Sequence, residues 1–131
     1  MKTTSTAVSM VYSVLNPGLL VPVYKDTKRD DETPDEYVVI MARSITGGLM
    51  QVCHIDVNYH VKDLAPGIPN IEKREAGETA VISLLHGVDD YQADINIHIE
   101  LDEKFAQQTV RNEALNEHYS NIRFIVRIIN K

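Results

Sequence analysis

The chain has 131 residues, a formal net charge of −6 and a single cysteine. This length is typical of one domain, residues 1–131, and is enough to bury a core without disulfides. The acidic balance argues against a nucleic-acid-binding protein, because neutralising phosphates requires clustered Lys and Arg side chains. Residues 1–9 lack the pattern of a signal peptide, and no apolar segment approaches the roughly 20 residues that span a bilayer. We therefore expect a cytoplasmic protein.

An amphipathic helix is predicted near the start of the chain. Four apolar side chains follow the i, i+3, i+4 and i+7 spacing of one helical face: Val8, Val11, Tyr12 and Leu15. The sequence NPG at residues 16–18 ends this helix, because proline cannot continue it and glycine tolerates the turn. A short apolar stretch follows at residues 19–24.

Residues 25–36 are the most highly charged segment, with nine charged side chains in twelve positions. A segment of this composition cannot enter a core, which predicts an exposed loop. The loop is either a solvated connection or a surface that binds a partner protein. Its candidate partner-binding residues are Asp26, Lys28, Arg29, Asp30, Asp31 and Glu32.

Two strands joined by a glycine-containing turn are predicted next. Residues 37–45 carry apolar side chains on both faces, which is typical of a central strand covered on both sides. The sequence TGG at 46–48 forms a turn. Residues 51–62 then alternate between apolar and polar side chains, which is typical of a half-buried strand. The pair predicts a β-hairpin.

The second half of the chain contains a helix and two further strands. Residues 71–86 are predicted to be helical, with Gly87 as the stop. Residues 93–101 alternate with five apolar side chains on one face, and residues 122–129 form the last strand. Residues 102–121 show no strong period and are expected to be an irregular connection or a frayed hairpin extension. The pattern predicts an α+β fold: a mostly antiparallel sheet of about four strands with two helices, one packed across the sheet.

No catalytic motif is present. The sequence lacks the usual phosphate-binding, nucleophile and metal signatures, and Cys53 is predicted to be a core residue. A metal site would need His54, Asp56 and His98 to converge across strands, which their spacing along strands disfavours. We expect no cofactor and no metal, and a protein that is not an enzyme.

The terminal strand has an unusual face, on which apolar and basic side chains alternate: Arg123, Ile125, Arg127 and Ile129. A second apolar set lies on the strand at residues 37–45. Apolar surface of this kind is either covered by the chain itself or buried against another subunit. If another subunit covers this surface, the protein self-associates through the terminal strand. The isoleucines would then be buried against the neighbour, and the arginines would reach carboxylates at the rim of the interface.

The order of these features resembles the phage tail completion or tail terminator family of small neck proteins. The resemblance spans nearly the whole chain and is carried by the order and spacing of segments: the N-terminal helix, VPVY at 21–24, PDE at 34–36 leading into YVVI at 37–40, the alternating strand at 54–61, the helix containing residues 80–85, and EHY at 117–119 leading into IRFIV at 122–126. The loop at 25–36 and the N-terminal polar lead are longer than the family pattern.

The resemblance implies a structural virion protein without catalytic activity. It implies a homo-oligomeric ring, often a hexamer, that caps the tail tube and joins it to the head connector, with monomers or dimers in isolation. Its partners would be the tail-tube and head-connector proteins, and its location the host cytoplasm during assembly and then the virion. The alternative is a small host-encoded homodimeric module that binds a ligand or serves an accessory role.

Overall fold

A computed structural model describes residues 2–28, 34–104 and 108–131. Ten elements follow one another in the chain: α1 (Thr4–Gly18), β1 (Val23–Lys25), β2 (Glu36–Ile45), β3 (Met50–Lys62), α2 (Ile71–Leu85), β4 (Val88–Tyr91), β5 (Ile95–Leu101), β6 (Gln108–Asn112), a short 3-10 helix (Glu113–Leu115) and β7 (Glu117–Asn130). No described helix is long and apolar enough to cross a membrane.

The strands form one curled, mixed sheet in the order β1-β2-β3-β7-β5-β4. Strand β1 pairs in parallel with β2, and every other strand pair is antiparallel. The 13 residues of β3 pair along almost the whole of β7. On its other side, the first part of β7 pairs with β6 and the later part with β5. This long central ladder defines two ends of the molecule.

The expected sheet of about four mostly antiparallel strands is wrong, because the described chain has seven strands in a mixed sheet. The three additional strands have only three to five residues, too few for a clear alternating pattern: β1, β4 and β6. Of the two alternatives for residues 102–121, the irregular connection is wrong, since the described part of this segment contains β6 and the start of β7, which pair with each other as antiparallel strands. Both helices and the β2–β3 hairpin are confirmed.

Both helices pack on the same face of the sheet and bury the core there. Helix α1 contributes Val8, Val11 and Leu15, as its spacing predicted, and α2 contributes Val81 and Leu85. The side chains of β3, β5 and β7 that point toward the helices are almost all fully buried. A side chain transferred from water to such a core is worth roughly 1.5–3 kcal/mol. The helix-covered face is therefore the main source of stability.

Helix α2 approaches the sheet most closely at Gly77. A Cβ atom at this position would lie 2.2 Å from Cε1 of Tyr59. The Tyr59 ring is buried, and its hydroxyl donates a hydrogen bond to Glu36 Oε1 at 3.1 Å. Glycine is required here because no side chain fits between the helix and the ring.

The two apolar sets that the sequence joined into one interaction surface lie on opposite faces. Val38 and Ile40 point into the core under the helices and are fully buried. Ile125 and Ile129 lie on the other face, which no described helix covers. We call this second surface the open face. Of these two apolar sets, only the one on the open face remains available to a partner.

Candidate functional site

The predicted self-association residues all lie on the open face, at alternate positions of β7. Ile125 is half-buried and Ile129 is exposed. Arg123 donates to Asp56 Oδ1 at 3.0 Å, and Arg127 donates to Glu100. The two arginines therefore have carboxylate partners within their own chain.

Asp56 lies at the centre of a charge cluster on the open face. Its second oxygen accepts a hydrogen bond from Arg43 at 2.5 Å, so one buried carboxylate is held between two guanidinium groups. A buried carboxylate with this many charge-assisted hydrogen bonds is satisfied. Each of its two oxygens is engaged by a guanidinium group, which favours a structural role for this cluster.

The three residues considered for a metal site do not come together. Asp56 is engaged by the two arginines, His54 lies 3.8 Å from Asp102, and His98 lies 2.6 Å from Asp89. Within the described ranges, no group of three His, Cys, Asp or Glu side chains is arranged to hold a metal ion. Cys53 is buried in the core, and burial raises the pKa of its thiol to about 11.

One end of the open face exposes several apolar side chains. Met50 of β3 lies directly opposite Ile129 of β7, and Tyr91 of β4 lies on the same row, separated from Ile129 by Asn96 of β5. The exposed fractions of Met50, Ile129 and Tyr91 are 53%, 39% and 74%. Leu49, in the adjacent hairpin turn, is 74% exposed. We call Leu49, Met50, Tyr91 and Ile129 the apolar end.

The opposite end of the open face carries an aromatic and acidic cluster that the sequence analysis missed. Tyr37, His60 and Tyr119 lie side by side on β2, β3 and β7. The ring centroids of Tyr37 and His60 are 4.3 Å apart, and those of His60 and Tyr119 are 4.4 Å apart. The rings of Tyr37 and His60 are stacked, and those of His60 and Tyr119 are tilted by 31°.

Glu117 holds this cluster together. One of its oxygens, Oε1, accepts a hydrogen bond from the Tyr37 hydroxyl at 2.5 Å and lies 2.9 Å from His60 Nδ1. Burial alone would raise the pKa of the Glu117 carboxyl, but the hydrogen bonds from His60 and Tyr37 favour the charged form and bring its pKa below the ordinary value. Burial and the contact with Glu117 raise the pKa of Tyr37. The charged carboxylate can only accept a hydrogen bond, so Nδ1 of His60 is the donor in this pair.

No protein-family model matches this chain, and no curated protein matches it.

A groove lies over the aromatic cluster. It has a volume of about 360 Å³, at the lower end of the roughly 300–1,000 Å³ range of ligand pockets. Its apolar walls are provided by Val39, Met41 and Leu115, and its floor includes Tyr37, His60 and Tyr119. The groove therefore combines apolar walls with an aromatic floor.

Part of the charged segment predicted at residues 25–36 lies beside this groove. Asp26 and Lys28 line the groove, and Lys28 Nζ lies 5.9 Å from the centroid of the Tyr37 ring. Asp26 adopts a left-handed backbone conformation, with φ of 68°. The other predicted partner-binding residues, Arg29, Asp30, Asp31 and Glu32, lie outside the described residues.

One feature of the sequence could have indicated the aromatic cluster. Pairing the predicted hairpin in register places Tyr37 opposite His60, and cross-strand pairs of this kind stabilise a sheet. Tyr119 and Glu117 gave no such signal, because they fall in the segment expected to be irregular.

Proposed function

We propose that the chain is a ring-forming structural subunit of a phage tail, which caps the tail tube and joins it to the head connector. The observation that supports this most is the apolar end: Leu49, Met50, Tyr91 and Ile129 are exposed together on a sheet face that no described helix covers. The order of segments in the chain resembles that of tail terminator proteins, and this resemblance is the reason for proposing a phage tail as the assembly.

The apolar end supports weak self-association. Full burial of one such side chain is worth roughly 1.5–3 kcal/mol, and these side chains are already partly covered by their own chain. Repulsion between subunits that each carry a net charge of −6 opposes assembly at low salt. We expect association that salt promotes and that a tail tube completes.

Association takes place through the face of the sheet rather than along the edge formed by β4. Asp89 and Asp90 occupy the centre of this four-residue strand. Charged side chains on a short edge strand oppose the addition of another strand. The ring contact that we propose therefore uses side-chain packing at the apolar end.

The test is genetic and structural. In a phage that carries this gene, its deletion should leave heads separate from tails of uncontrolled length, as seen by electron microscopy. Wild-type protein should restore joined particles, whereas a Met50→Ser/Ile129→Ser variant that still melts cooperatively should not. The matched control is Leu20→Ser, since Leu20 is fully exposed but lies outside the apolar end. Normal particles without the gene would refute the proposal.

A small ligand-binding module is the second candidate, and the groove over His60 favours it. This function predicts that a small molecule raises the melting temperature of wild-type protein and does not raise that of His60→Ala. It also predicts that Met50→Ser/Ile129→Ser keeps full ligand binding. Loss of particle joining in that variant would instead support the ring subunit.

A further inference from the structure

We infer that self-association through the apolar end is regulated by pH, and that His98 is the group that takes up a proton when two subunits meet. This inference rests on the proposed ring contact and assigns its regulation to one row of charged side chains. The row crosses the open face and contains Asp89 of β4, His98 of β5 and Arg127 of β7, which lie directly opposite one another. We call these three residues the charged row.

The charged row lies next to the apolar end on the same face. Ile129 follows Arg127 by two residues on β7, and Tyr91 follows Asp89 by two residues on β4. At about 3.3 Å per residue, the two rows are therefore roughly 7 Å apart. A stable protein interface takes about 20–30 residues from each side, many more than the apolar end supplies. A contact centred on the apolar end therefore also covers the charged row.

Both ring nitrogens of His98 face carboxylate oxygens. Nδ1 lies 2.6 Å from Asp89 Oδ1, and Nε2 lies 3.6 Å from Glu100 Oε2. A carboxylate can only accept a hydrogen bond, so Nδ1 carries a proton in the pair with Asp89. In the neutral ring, Nε2 then has a lone pair that faces a second carboxylate, whereas in the charged ring it is a donor. A second proton on His98 therefore has its partner already in place.

The protonation of His98 sets the net charge of this part of the surface. While the ring is neutral, the two carboxylates of Asp89 and Glu100 outnumber the guanidinium of Arg127, which donates to Glu100. A proton on His98 brings the sum of these charges to zero. An uncompensated charge is costly to bury, so a neighbouring subunit binds the protonated state more tightly. Association is therefore coupled to proton uptake and strengthens as pH falls through the range in which histidine changes charge.

The test is sedimentation equilibrium at pH 7.5 and pH 5.5, in high salt that screens the general repulsion between acidic subunits. Wild type should associate about tenfold more tightly at pH 5.5, within the limit of roughly tenfold per pH unit for one proton. His98→Gln keeps a hydrogen-bond donor but cannot take up a proton, so it should lose this gain. His54→Gln is the matched control and should keep it, because the His54 side chain is equally exposed, 39%, and lies on the same face outside the charged row.

A second pair of variants predicts a gain of association, which damage to the fold would not produce. Asp89→Asn removes a carboxylate from the charged row and so balances its charge without a proton. It should associate more tightly than wild type at pH 7.5 and gain less at pH 5.5. Asp90→Asn is the control, because it removes the same charge from the same strand, but Asp90 lies opposite Ile97 on the helix-covered face. It should associate like wild type.

The outcomes separate this inference from the proposed function. If wild type associates equally at both pH values, or if the two histidine variants respond alike, regulation through His98 is wrong while the ring contact remains. If Asp89→Asn and Asp90→Asn associate equally, the charged row lies outside the contact and the inference is likewise wrong. If wild type stays monomeric at both pH values and at every concentration, the proposed ring contact itself fails.

Discussion

Replacing Glu117 with Gln tests whether a charged carboxylate organises the floor of the groove. The substitution keeps the shape of the side chain and removes its charge from the hydrogen bonds with Tyr37 and His60. A hydrogen bond to a charged group stabilises by roughly 1 kcal/mol more than a neutral one. With two such bonds, the free energy of unfolding should fall by about 2 kcal/mol at pH 7, which lowers Tm by roughly 6–10 °C for a domain of this size.

The pH dependence of this loss follows from the direction of the pKa shift. The pKa of Glu117 is lower in the folded protein than its ordinary value. The charged carboxylate therefore stabilises the fold above the unfolded pKa of about 4.3, and this contribution disappears as pH falls through the lower folded pKa. Urea unfolding between pH 7 and pH 3 should show the difference between wild type and Glu117→Gln shrinking at the acid end.

Glu100→Gln is the matched control. Glu100 also accepts a hydrogen bond from an arginine, and that bond lowers its pKa, but the pair lies at the surface. Exposed ion pairs contribute about 0–1 kcal/mol. An equal loss in both variants, or a Glu117→Gln loss that does not depend on pH, would refute the view that the buried carboxylate organises this end of the sheet.

Three further predictions concern the fold and its chemistry. Gly77→Ala should lower the free energy of unfolding in urea by about 1–2 kcal/mol, because the new Cβ would overlap the Tyr59 ring. The loss is expected although alanine in a helix is usually about 1 kcal/mol more stable than glycine. Ser83→Ala on the exposed side of α2 is the control and should not destabilise the protein. Ile97→Asp should abolish cooperative melting, because it buries an unpaired carboxylate, whereas Ile97→Val should lose only about 0.5–1.5 kcal/mol. Elemental analysis of protein purified without chelator should find no stoichiometric transition metal.

The sequence predicted the helices and strands that have one face in the apolar core and the other face in a polar environment. In β3 and β5, one face meets the helices and the other is polar, so side chains alternate and the strands were located. The first residues of β7 are polar on both faces, because the curled sheet buries and hydrogen-bonds groups such as Glu117 and Ser120. Hydrophobic alternation cannot detect such a segment.

Which side chains share a surface depends on strand register, and the sequence alone did not supply the register. Ile129 was identified from its position between charged neighbours, but its exposed companions come from other strands, and their proximity depends on register. The aromatic cluster likewise requires β2, β3 and β7 to align Tyr37, His60 and Tyr119. Pairings between distant segments are not encoded in the local pattern of any one segment.

Sedimentation velocity over a concentration series, at low and at high salt, tests self-association most directly. For wild-type protein we predict a weight-average mass that rises with concentration and rises more steeply at high salt, as repulsion between acidic subunits is screened. Met50→Ser/Ile129→Ser should sediment as a folded monomer under the same conditions. A wild-type protein that stays monomeric throughout, or a double variant that associates like wild type, would contradict assembly through the apolar end.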